Sequence, residues 1–507
     1  MTVYRYILCF MLLLTICNSS AAEDGIRVRS CRRGTPRPQS MLLHRGAHDS
    51  QPRAVGGDFY HGDCHQLTVL VAFNDRAFTG DEAATIQQWD KMFNAENLNE
   101  APFKGSVHDY FYAQSYGNFN IIFDLQYVKV TGNAAKYASN DLDDENSQFL
   151  VADIMEELKT RDIDWSLYDW NGDGFVNQLL IVYAGHGMND SYGPDLIWPH
   201  QWWMSEHMKD QEAGIYCEPI PVDDGGKQFF VDCYCALAEL TKKNDYGSFG
   251  TICHEYSHCF GFPDFYYGSG TKVVAGWDLM DSGNYNGGGY CPAGYSAHER
   301  WLMGWLTPTE LTETATVTGM PQLAEQPVAY LVRNDAYEDE YYFIENRQQT
   351  GWDTSLPGHG VVVFHIDFDL SVWPSTQVSP NSSSYKRYSI FPANNKPSVY
   401  LNEGWPYPNG ENKSLTNDSE PAATVYHANA DGEKLMSKPI TDIRVDDGLA
   451  SFEFMAEGPT SVSLASRPST SSLSWYALDG RRVQTPQPGH VYIVRGEDGS
   501  MKKLVFK

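Results

Sequence analysis

The segment from Thr251 to Asp264 restricts the possible folds of this chain more than any other part of the sequence. It contains the pattern H-E-x-x-H-x-x-G-x-x-D, in which His254 and His258 stand four residues apart. Residues at this spacing lie on one face of an α-helix, so both imidazoles can reach a single cation. Glu255, one position further round, then projects toward a water molecule at that cation. The pattern therefore predicts a metal centre on a helix.

The residues after the helix indicate the third ligand. Gly261 permits a tight turn and Pro263 helps to end the helix, so we expect Asp264 to fold back as an oxygen ligand. Glu299 on a later predicted helix is the rival. Two histidines and a carboxylate suit Zn²⁺, with Glu255 as the general base that takes a proton from the attacking water.

Further candidates for the same centre lie downstream. Met280 follows the third ligand in a turn-rich segment, at the position where metzincin peptidases, which the motif resembles, have a methionine beneath the metal. Ser282 stands where that pattern has a tyrosine, which puts a tyrosine from this turn in doubt. Tyr290 and His298 are the remaining candidates for polarising a substrate carbonyl and stabilising the transition state.

A second candidate metal site precedes a predicted strand. The loop offers oxygen ligands at positions 1, 3, 5, 7 and 9 of an EF-hand-type calcium loop: Asp169, Asn171, Asp173, Phe175 and Asn177. Leu180 stands where the bidentate glutamate belongs, so a full EF-hand is excluded and a calcium site has to take an acid from elsewhere. An Asx-rich turn is the alternative interpretation.

Size and charge exclude several classes of function. A chain of 507 residues exceeds the usual size of one hydrophobic core. Its formal net charge of −28 repels phosphate backbones and anionic lipids, which argues against nucleic-acid partners. After the N-terminal region no stretch has the roughly 18 apolar residues that cross a bilayer, so the mature chain is expected to have no transmembrane span.

The N-terminal region predicts export. The apolar run from Ile7 to Ile16 leads to small residues that end at Ala22, which is typical of a secretory signal peptide over residues 1–22. A lipoprotein anchor at Cys17 is the alternative, but Ile16 occupies a position that requires a small residue.

Residues 23–62 lack periodicity and are predicted to be a pro-segment or a disordered lead-in. Cys31 lies there among arginines, which lower a thiol pKa, so it is a candidate latency switch that ligates the zinc as a thiolate. A disulfide to Cys64 explains the same residue.

The remaining organisation predicts an α+β fold. Helical and strand patterns alternate over residues 63–308, the predicted catalytic domain, in which Phe229 to Leu240 is predicted to be one strand. Short alternating strands over 309–457 predict an all-β, sandwich-like domain. A linker at 458–472 leads to a small β-module at 473–507, which resembles the C-terminal sorting modules of type IX secretion cargo.

Several stretches together carry a wider resemblance: Ser106 to Phe111, Ser115 to Gly117, the zinc motif, Trp277 to Met280, Gly304-Trp305, Glu345 to Arg347, Leu356 to Gly360 and His365 to Asp367. On these residues the chain resembles the immune inhibitor A family of secreted bacterial metallopeptidases. The resemblance implies a zincin catalytic domain followed by β-structure, synthesis as a zymogen, an extracellular or cell-surface location, and cleavage of protein substrates.

Two other functions stay open at this point. A surface adhesin that keeps a zinc fold without turnover is one, although the intact His254, Glu255 and His258 argue against it. Zinc-dependent hydrolysis of a non-peptide substrate is the other.

Overall fold

The computed structural model describes residues 60–456, except 139–145, 190–192, 194, 207–217, 244, 248, 269, 370 and 374–378, and the backbone of four strands between 474 and 505. The predicted signal peptide, nearly all of the 23–62 segment with Cys31, and the predicted linker lie outside the described residues.

Helices α1 to α5 span Glu82–Asn94, Val107–Gln114, Ser147–Leu158, Phe249–Cys259 and Ala297–Leu302. Their starts follow local capping chemistry. Asp81 accepts a hydrogen bond from the N–H of Ala84 at the start of α1. Ser106 and Asp109 form a reciprocal capping box at α2. None of the described helices combines the length and the apolar composition that crossing a bilayer requires.

The first eight strands build a mixed sheet and a small satellite sheet. They are β1 Gly62–Ala72, β2 Phe119–Lys129, β3 Phe175–Val176, β4 Leu179–His186, β5 His200–Trp203, β6 Ile220–Asp224, β7 Lys227–Val231 and β8 Cys233–Leu240. The main sheet has the order β2-β1-β4-β8-β5, in which the first four strands are parallel and β5 runs antiparallel to β8. Strands β3, β7 and β6 form the small sheet.

Helices cover both faces of the main sheet, as expected for parallel strands. Trp89 of α1, Phe111 of α2 and Ile252 of α4 belong to the core on one face. Leu150 and Ile154 of α3 belong to the core on the other face. The helix that bears the histidines is thus packed against a sheet that is buried on both sides.

The single strand predicted over Phe229 to Leu240 is wrong in one respect, because the structure divides it into β7 and β8 at Asp232. The buried Asp232 carboxylate accepts hydrogen bonds from both the N–H and the hydroxyl of Ser205. This contact with a distant segment interrupts the strand, and no local pattern could reveal it.

The region after residue 308 consists of short strands: β9 Thr309–Glu310, β10 Ala315–Met320, β11 Tyr330–Asn334, β12 Tyr337–Arg347, β13 Gly360–Asp367, β14 Tyr388–Ile390, β15 Ile440–Asp446 and β16 Leu449–Phe454. They form a sheet of order β14-β13-β12-β11-β9 and a sheet of order β10-β16-β15. Ile344, Val363 and Phe452 belong to a core shared by the two sheets. On the other face of the first sheet, Phe343 and Phe364 join the core of the histidine helix.

The chain divides into two compact units, Met1–Ala456 and Glu457–Lys507. The boundary predicted near residue 308 therefore lies within one compact unit, and the domain status of 309–457 stays a prediction. In the second unit, β17 Ser474–Tyr476, β18 Arg482–Val483, β19 Val491–Arg495 and β20 Met501–Val505 form an antiparallel sheet. Its predicted sorting role stays a prediction.

Candidate metal centre

Helix α4 positions the candidate ligands, and its C-terminus redirects the chain toward Asp264. The N–H of Phe262 donates to Ser257 O, and the N–H of Gly261 donates to His258 O. These two bonds form a Schellman motif, in which the residue after the helix cap adopts a left-handed conformation. Gly261 has a φ of +95° and meets this requirement, as the sequence predicted. The chain therefore reverses within a few residues of His258.

His254, His258 and Asp264 come together as a buried group whose candidate ligand atoms all lie within 4.8 Å of one another. His254 Nε2 lies 3.1 Å from Asp264 Oδ1, and His258 Nε2 lies 3.5 Å from the same oxygen. In the described part of the chain this is the group of acidic, histidine or cysteine side chains with the geometry to hold a metal ion.

Backbone carbonyls orient both imidazoles. His254 Nδ1 donates to Leu279 O over 2.8 Å, and His258 Nδ1 donates to Phe262 O over 2.7 Å. A hydrogen bond from Nδ1 leaves Nε2 of a neutral imidazole as a lone pair that faces the centre. Such outer contacts select the tautomer that a metal ligand needs.

The residues fit a cation, because acceptor atoms face one another in a buried space. With Nδ1 protonated, each Nε2 directs a lone pair toward the Asp264 carboxylate. In the described part of the chain, His258 Nε2 and both Asp264 oxygens are buried without a hydrogen-bond partner. Buried polar atoms are rarely left in this state, and a divalent cation satisfies all of them at once.

Ionisation within the group depends on the contacts between the Asp264 carboxylate and the two imidazoles. Burial by itself lowers the pKa of His254, but the nearby Asp264 carboxylate outweighs burial and raises it. Burial by itself raises the pKa of Asp264, but His258 and His254 outweigh it, so that pKa lies below its usual value. The Asp264 carboxylate is thus held in its ionised form.

Glu255 differs from the three grouped residues in its exposure. Its side chain is 12 % exposed, whereas those of His254, His258 and Asp264 are 3 % exposed or less. Glu255 Oε2 lies 4.0 Å from His258 Nε2. The glutamate therefore borders the group, and its side chain is more exposed than the three grouped ones, which suits a residue that exchanges protons with water.

The segment around Met280 makes two hydrogen bonds at the group. Its neighbour Leu279 provides the carbonyl that holds His254. Met280 is buried, and its own carbonyl accepts from the N–H of Phe265, next to Asp264. Asp278 Oδ1 accepts from the N–H of Met280 and shapes the turn. One segment thus contacts His254 itself and the residue that follows Asp264.

Glu299, the rival third ligand, serves another purpose. It lies in α5, where its carboxylate accepts from the N–H and the hydroxyl of Ser296 in a capping box. Its pKa is raised well above the usual value, first by burial and then by the neighbouring Asp278 carboxyl. The structure groups Asp264, and not Glu299, with the two histidines.

The structure separates the two candidates for transition-state stabilisation. Tyr290 lines a cavity beside α4, and its hydroxyl donates to Tyr246 O. His298 is fully buried among aromatic rings that include Trp301 and Trp373. This position corrects the prediction for His298, since a side chain enclosed by aromatic rings does not line a substrate cleft.

The predicted calcium loop has some features of such a site and lacks others. Asp169 Oδ2 accepts from the N–H of Gly174, as position 1 does from position 6 in an EF-hand-type loop. Asp169 Oδ1 is buried without a partner among the described residues. However, Asn177 Oδ1 accepts from the N–H of Trp170, and Lys227 Nζ lies 3.8 Å from Asp169 Oδ2.

The sequence analysis did not predict a buried polar network that joins α4 to the main sheet. Tyr256, next to Glu255, donates from its hydroxyl to Gln66 Oε1 of β1 and accepts from Gln178 Nε2 beside β4. All three side chains are buried. Two glutamines in otherwise apolar strand patterns were the available signal, because a buried amide needs partners.

Helix α4, packed on a mixed sheet and carrying a buried His, His and Asp group with a glutamate beside it, defines a metallopeptidase site. Residues 65–303 match the family profile described as Immune inhibitor A peptidase M6, catalytic domain. Residues 65–303 therefore form a catalytic domain of this peptidase family, as the motifs predicted. No curated protein matches the chain significantly.

Proposed function

We propose that this metallopeptidase is a secreted, zinc-dependent endopeptidase. The observation that carries the proposal is the buried His254, His258 and Asp264 group, in which both Nδ1 atoms are already bonded and the remaining ligand atoms converge. Two imidazole nitrogens and one carboxylate oxygen are a usual donor set for catalytic zinc with an open coordination position. Membership of a peptidase family supports protein substrates.

Zinc bound to His254, His258 and Asp264 would polarise the scissile carbonyl and lower the pKa of water. The chain's own residues supply the proton transfers. Glu255 accepts a proton from the attacking water and later donates it to the leaving amine. Its partial exposure beside the buried ligands supports this role. The carbonyls of Leu279 and Phe262 keep both imidazoles oriented during turnover.

The proposal also includes export of the protein, latency of its precursor and sorting by its C-terminal module. Only the sequence supports these three parts. The apolar run that ends at Ala22 supports a signal peptide, and Cys31 among arginines supports a latency switch in the pro-segment. The small β-module at 473–507 supports recognition by a type IX secretion machinery. These features together favour an extracellular or cell-surface location.

We further propose that the loop with Asp169, Asn171 and Asp173 binds calcium as a structural ion. The buried Asp169 Oδ1 atom, which has no partner in the described part of the chain, supports this proposal. The Phe175 carbonyl and Asn177 complete the ligand set only if Asn177 releases the N–H of Trp170. Calcium also has to displace Lys227 from the carboxylate.

The Glu255→Gln variant tests the catalytic proposal. It removes the base but no ligand, so bound zinc should remain while the turnover of casein falls by about 10²–10⁴-fold. Metal analysis and casein hydrolysis measure the two effects. Glu156→Gln is the matched control, because Glu156 is a solvent-exposed helix residue far from the ligands in sequence. Substantial casein hydrolysis by Glu255→Gln would refute the mechanism.

A further inference from the structure

The β-rich region after residue 308 contacts the chain beside the candidate metal centre through Tyr388 of β14. The Tyr388 ring stacks on the ring of Phe265, with 3.9 Å between the centroids and 18° between the planes. Phe265 directly follows the candidate ligand Asp264. The N–H of Tyr388 donates to Asn381 Oδ1, and Asn381 Nδ2 donates to Phe265 O. Two residues of the β-rich region therefore hold the residue next to one candidate ligand.

The hydroxyl of the same tyrosine bonds the turn that orients a second candidate ligand. Tyr388 donates to Asp278 Oδ2 over 2.7 Å, and both side chains are fully buried. Asp278 Oδ1 accepts from the N–H of Met280. Leu279, which lies between these two residues, provides the carbonyl that accepts from His254 Nδ1. A short series of hydrogen bonds thus connects β14 to an imidazole of the centre.

Asp278 has an unusual partner, because its carboxyl lies within hydrogen-bonding distance of the Glu299 carboxyl. Glu299 Oε2 accepts from the N–H and the hydroxyl of Ser296. Glu299 Oε1 is buried, and no hydrogen-bond partner from the described residues reaches it. Two ionised carboxylates have no proton to donate to each other, so this contact requires one proton between them. Glu299 Oε1 is the atom that can carry it.

The surroundings of the pair place this proton on Glu299. Burial, and then the neighbouring Asp278 carboxyl, raise the pKa of Glu299 well above its usual value. Burial raises the pKa of Asp278 as well, but hydrogen bonds from Tyr388, Met280 and Glu299 act against that rise. The pKa of Tyr388 lies well above its usual value, chiefly because of burial, so its hydroxyl stays a donor. Asp278 is therefore an acceptor for three donors.

We propose that Tyr388 is a positioning residue for the metal centre, which acts through the proton-sharing pair of Asp278 and Glu299 on the turn that orients His254. The inference rests on the proposed zinc-dependent function. Outer hydrogen bonds of this kind orient a metal ligand, and their loss typically costs 10–100-fold in metal affinity. The β-rich region is then a working part of the metal centre, because it supplies a donor that the catalytic domain lacks at this turn.

The Tyr388→Phe variant tests the role of the hydroxyl. It keeps the ring on Phe265 and removes only the donor to Asp278. We expect zinc affinity, measured by competition with a chelator, to fall about tenfold, the low end of the range for an outer contact. The visible spectrum of the Co²⁺-substituted protein should also change, because its absorption depends on the geometry of the ligands.

Tyr342→Phe is the matched control. Tyr342 of β12 is also buried, and its hydroxyl also donates a hydrogen bond, to Thr424 O. It belongs to the core between the two sheets of the β-rich region, which is a different core from that of the histidine helix. This variant should lose stability but keep the zinc affinity and the Co²⁺ spectrum. Equal zinc affinities for the two variants would overturn the inference.

The Glu299→Gln variant tests the shared proton, because it replaces the proton with a fixed N–H donor. An acid whose pKa is raised by folding stabilises the fold below its unfolded pKa of about 4.3, and this contribution is lost as the pH rises toward the folded pKa. The melting temperature of metal-free Glu299→Gln, relative to that of the unaltered metal-free protein, should therefore increase between pH 5 and pH 8. A difference that does not change with pH would overturn the inference, because the positioning path runs through this pair.

This comparison isolates the pair, because the other titratable or charged groups that face it are the same in both proteins. They come from α2, from the segment before α5, from β12 and from β14: Tyr110, Tyr295, Arg347 and Tyr388.

The outcomes separate this inference from the proposed function. If the unaltered protein binds no zinc, the zinc proposal fails and the inference fails with it. If zinc affinity depends on Tyr388 as stated but casein is not cleaved, the inference holds and only the peptidase proposal fails. If Tyr388→Phe does not fold, the pH series with Glu299→Gln decides the question, because the amide keeps an acceptor for Ser296.

Discussion

At the scale of single residues, the orientation of the two candidate histidine ligands depends on their hydrogen bonds to the backbone as well as on their position in the motif. Each histidine donates from Nδ1 to a backbone carbonyl, Leu279 O or Phe262 O. These carbonyls belong to the turn before Met280 and to the reversal after Gly261. Local chain geometry therefore decides which nitrogen faces the centre.

Asp264, rather than Glu299, is predicted to bind zinc. Mutation of a residue that only supports a ligand typically costs 10–100-fold in metal affinity. Loss of a ligand itself should cost at least as much, so Asp264→Ala should reduce zinc affinity at least about tenfold. Glu299→Gln keeps the capping chemistry of α5 and should keep the metal. Zinc titrations with a competing chelator measure both variants. The reverse ranking would make the later glutamate the third ligand.

His298 should limit acid stability and contribute nothing to catalysis. Burial lowers the pKa of His298 to about 3, and both ring nitrogens lack a partner among the described residues. The unfolded chain, with the ordinary pKa, binds a proton first, so stability falls as the pH drops from about 6.5 toward 3.

His298→Leu should remove this loss and should stabilise the protein by roughly 1–3 kcal/mol by eliminating buried unpaired nitrogens. Urea unfolding at pH 7 and pH 4.5 measures the effect. Full peptidase activity at neutral pH should remain. If His298→Leu instead loses much of its kcat while its stability is unchanged, His298 takes part in catalysis and the prediction is wrong.

At the scale of elements, helix α4 combines local and long-range requirements. Its spacing places the histidines on one face, and Gly261 ends it in a Schellman motif. Its position in the fold, in contrast, depends on two contacts with distant residues. Gly250 lets the loop at Asn284 pack closely against the helix, and Tyr256 donates a hydrogen bond to Gln66 of β1. The motif indicates the helix, but these distant partners fix where it lies.

The loop from Asp169 to Asn177 should respond to calcium. A ligand that binds only the folded state at a hundredfold excess over its Kd stabilises it by about 2.7 kcal/mol. We therefore expect added calcium to raise the melting temperature of chelator-treated protein. Asp169→Asn keeps an acceptor for the N–H of Gly174 but removes the charge, and it should abolish the response. A melting temperature insensitive to calcium in the unaltered protein would leave the loop as an Asx-rich turn.

At the scale of the whole molecule, buried ionic contacts join the β-rich region to the metallopeptidase region. Arg347 of β12 donates to Asp353, to Glu345 and to the carbonyl of Gly294. Glu345 in turn accepts from the N–H of Ala297 at the start of α5. The sheet that contains β12 is therefore linked to the start of α5 within one compact unit.

Arg347→Met should destabilise this unit as a whole. It leaves the buried carboxylates of Asp353 and Glu345 without their cation, which costs about 3–5 kcal/mol. Denaturant unfolding should show a lower midpoint, with peptidase activity lost in parallel with the fold. Arg444→Met is the control, because Arg444 pairs with Asp442 at an exposed site and should cost at most about 1 kcal/mol. Equal effects of the two substitutions would contradict the proposed link.

The sequence by itself determined the features that depend on short-range spacing. Helix periodicity and the fixed distances in H-E-x-x-H-x-x-G-x-x-D determined the histidine helix, its reversal at Gly261 and the group that includes Asp264. Alternating helical and strand patterns over residues 63–308 predicted that helices and strands alternate in this region. In each case the forces act between neighbours in the chain, so a local pattern contains the information.

Only the tertiary structure decided the features that depend on contacts between distant segments. The strand predicted over Phe229 to Leu240 is divided at Asp232, whose carboxylate accepts a hydrogen bond from Ser205. His298 does not line a substrate cleft because aromatic rings, including Phe343 of the β-rich region, enclose it. The cavity beside α4 likewise exists because β8, α4 and a later loop converge there. Such contacts pair residues tens to more than a hundred positions apart, and no periodicity within one segment can encode the partner of another.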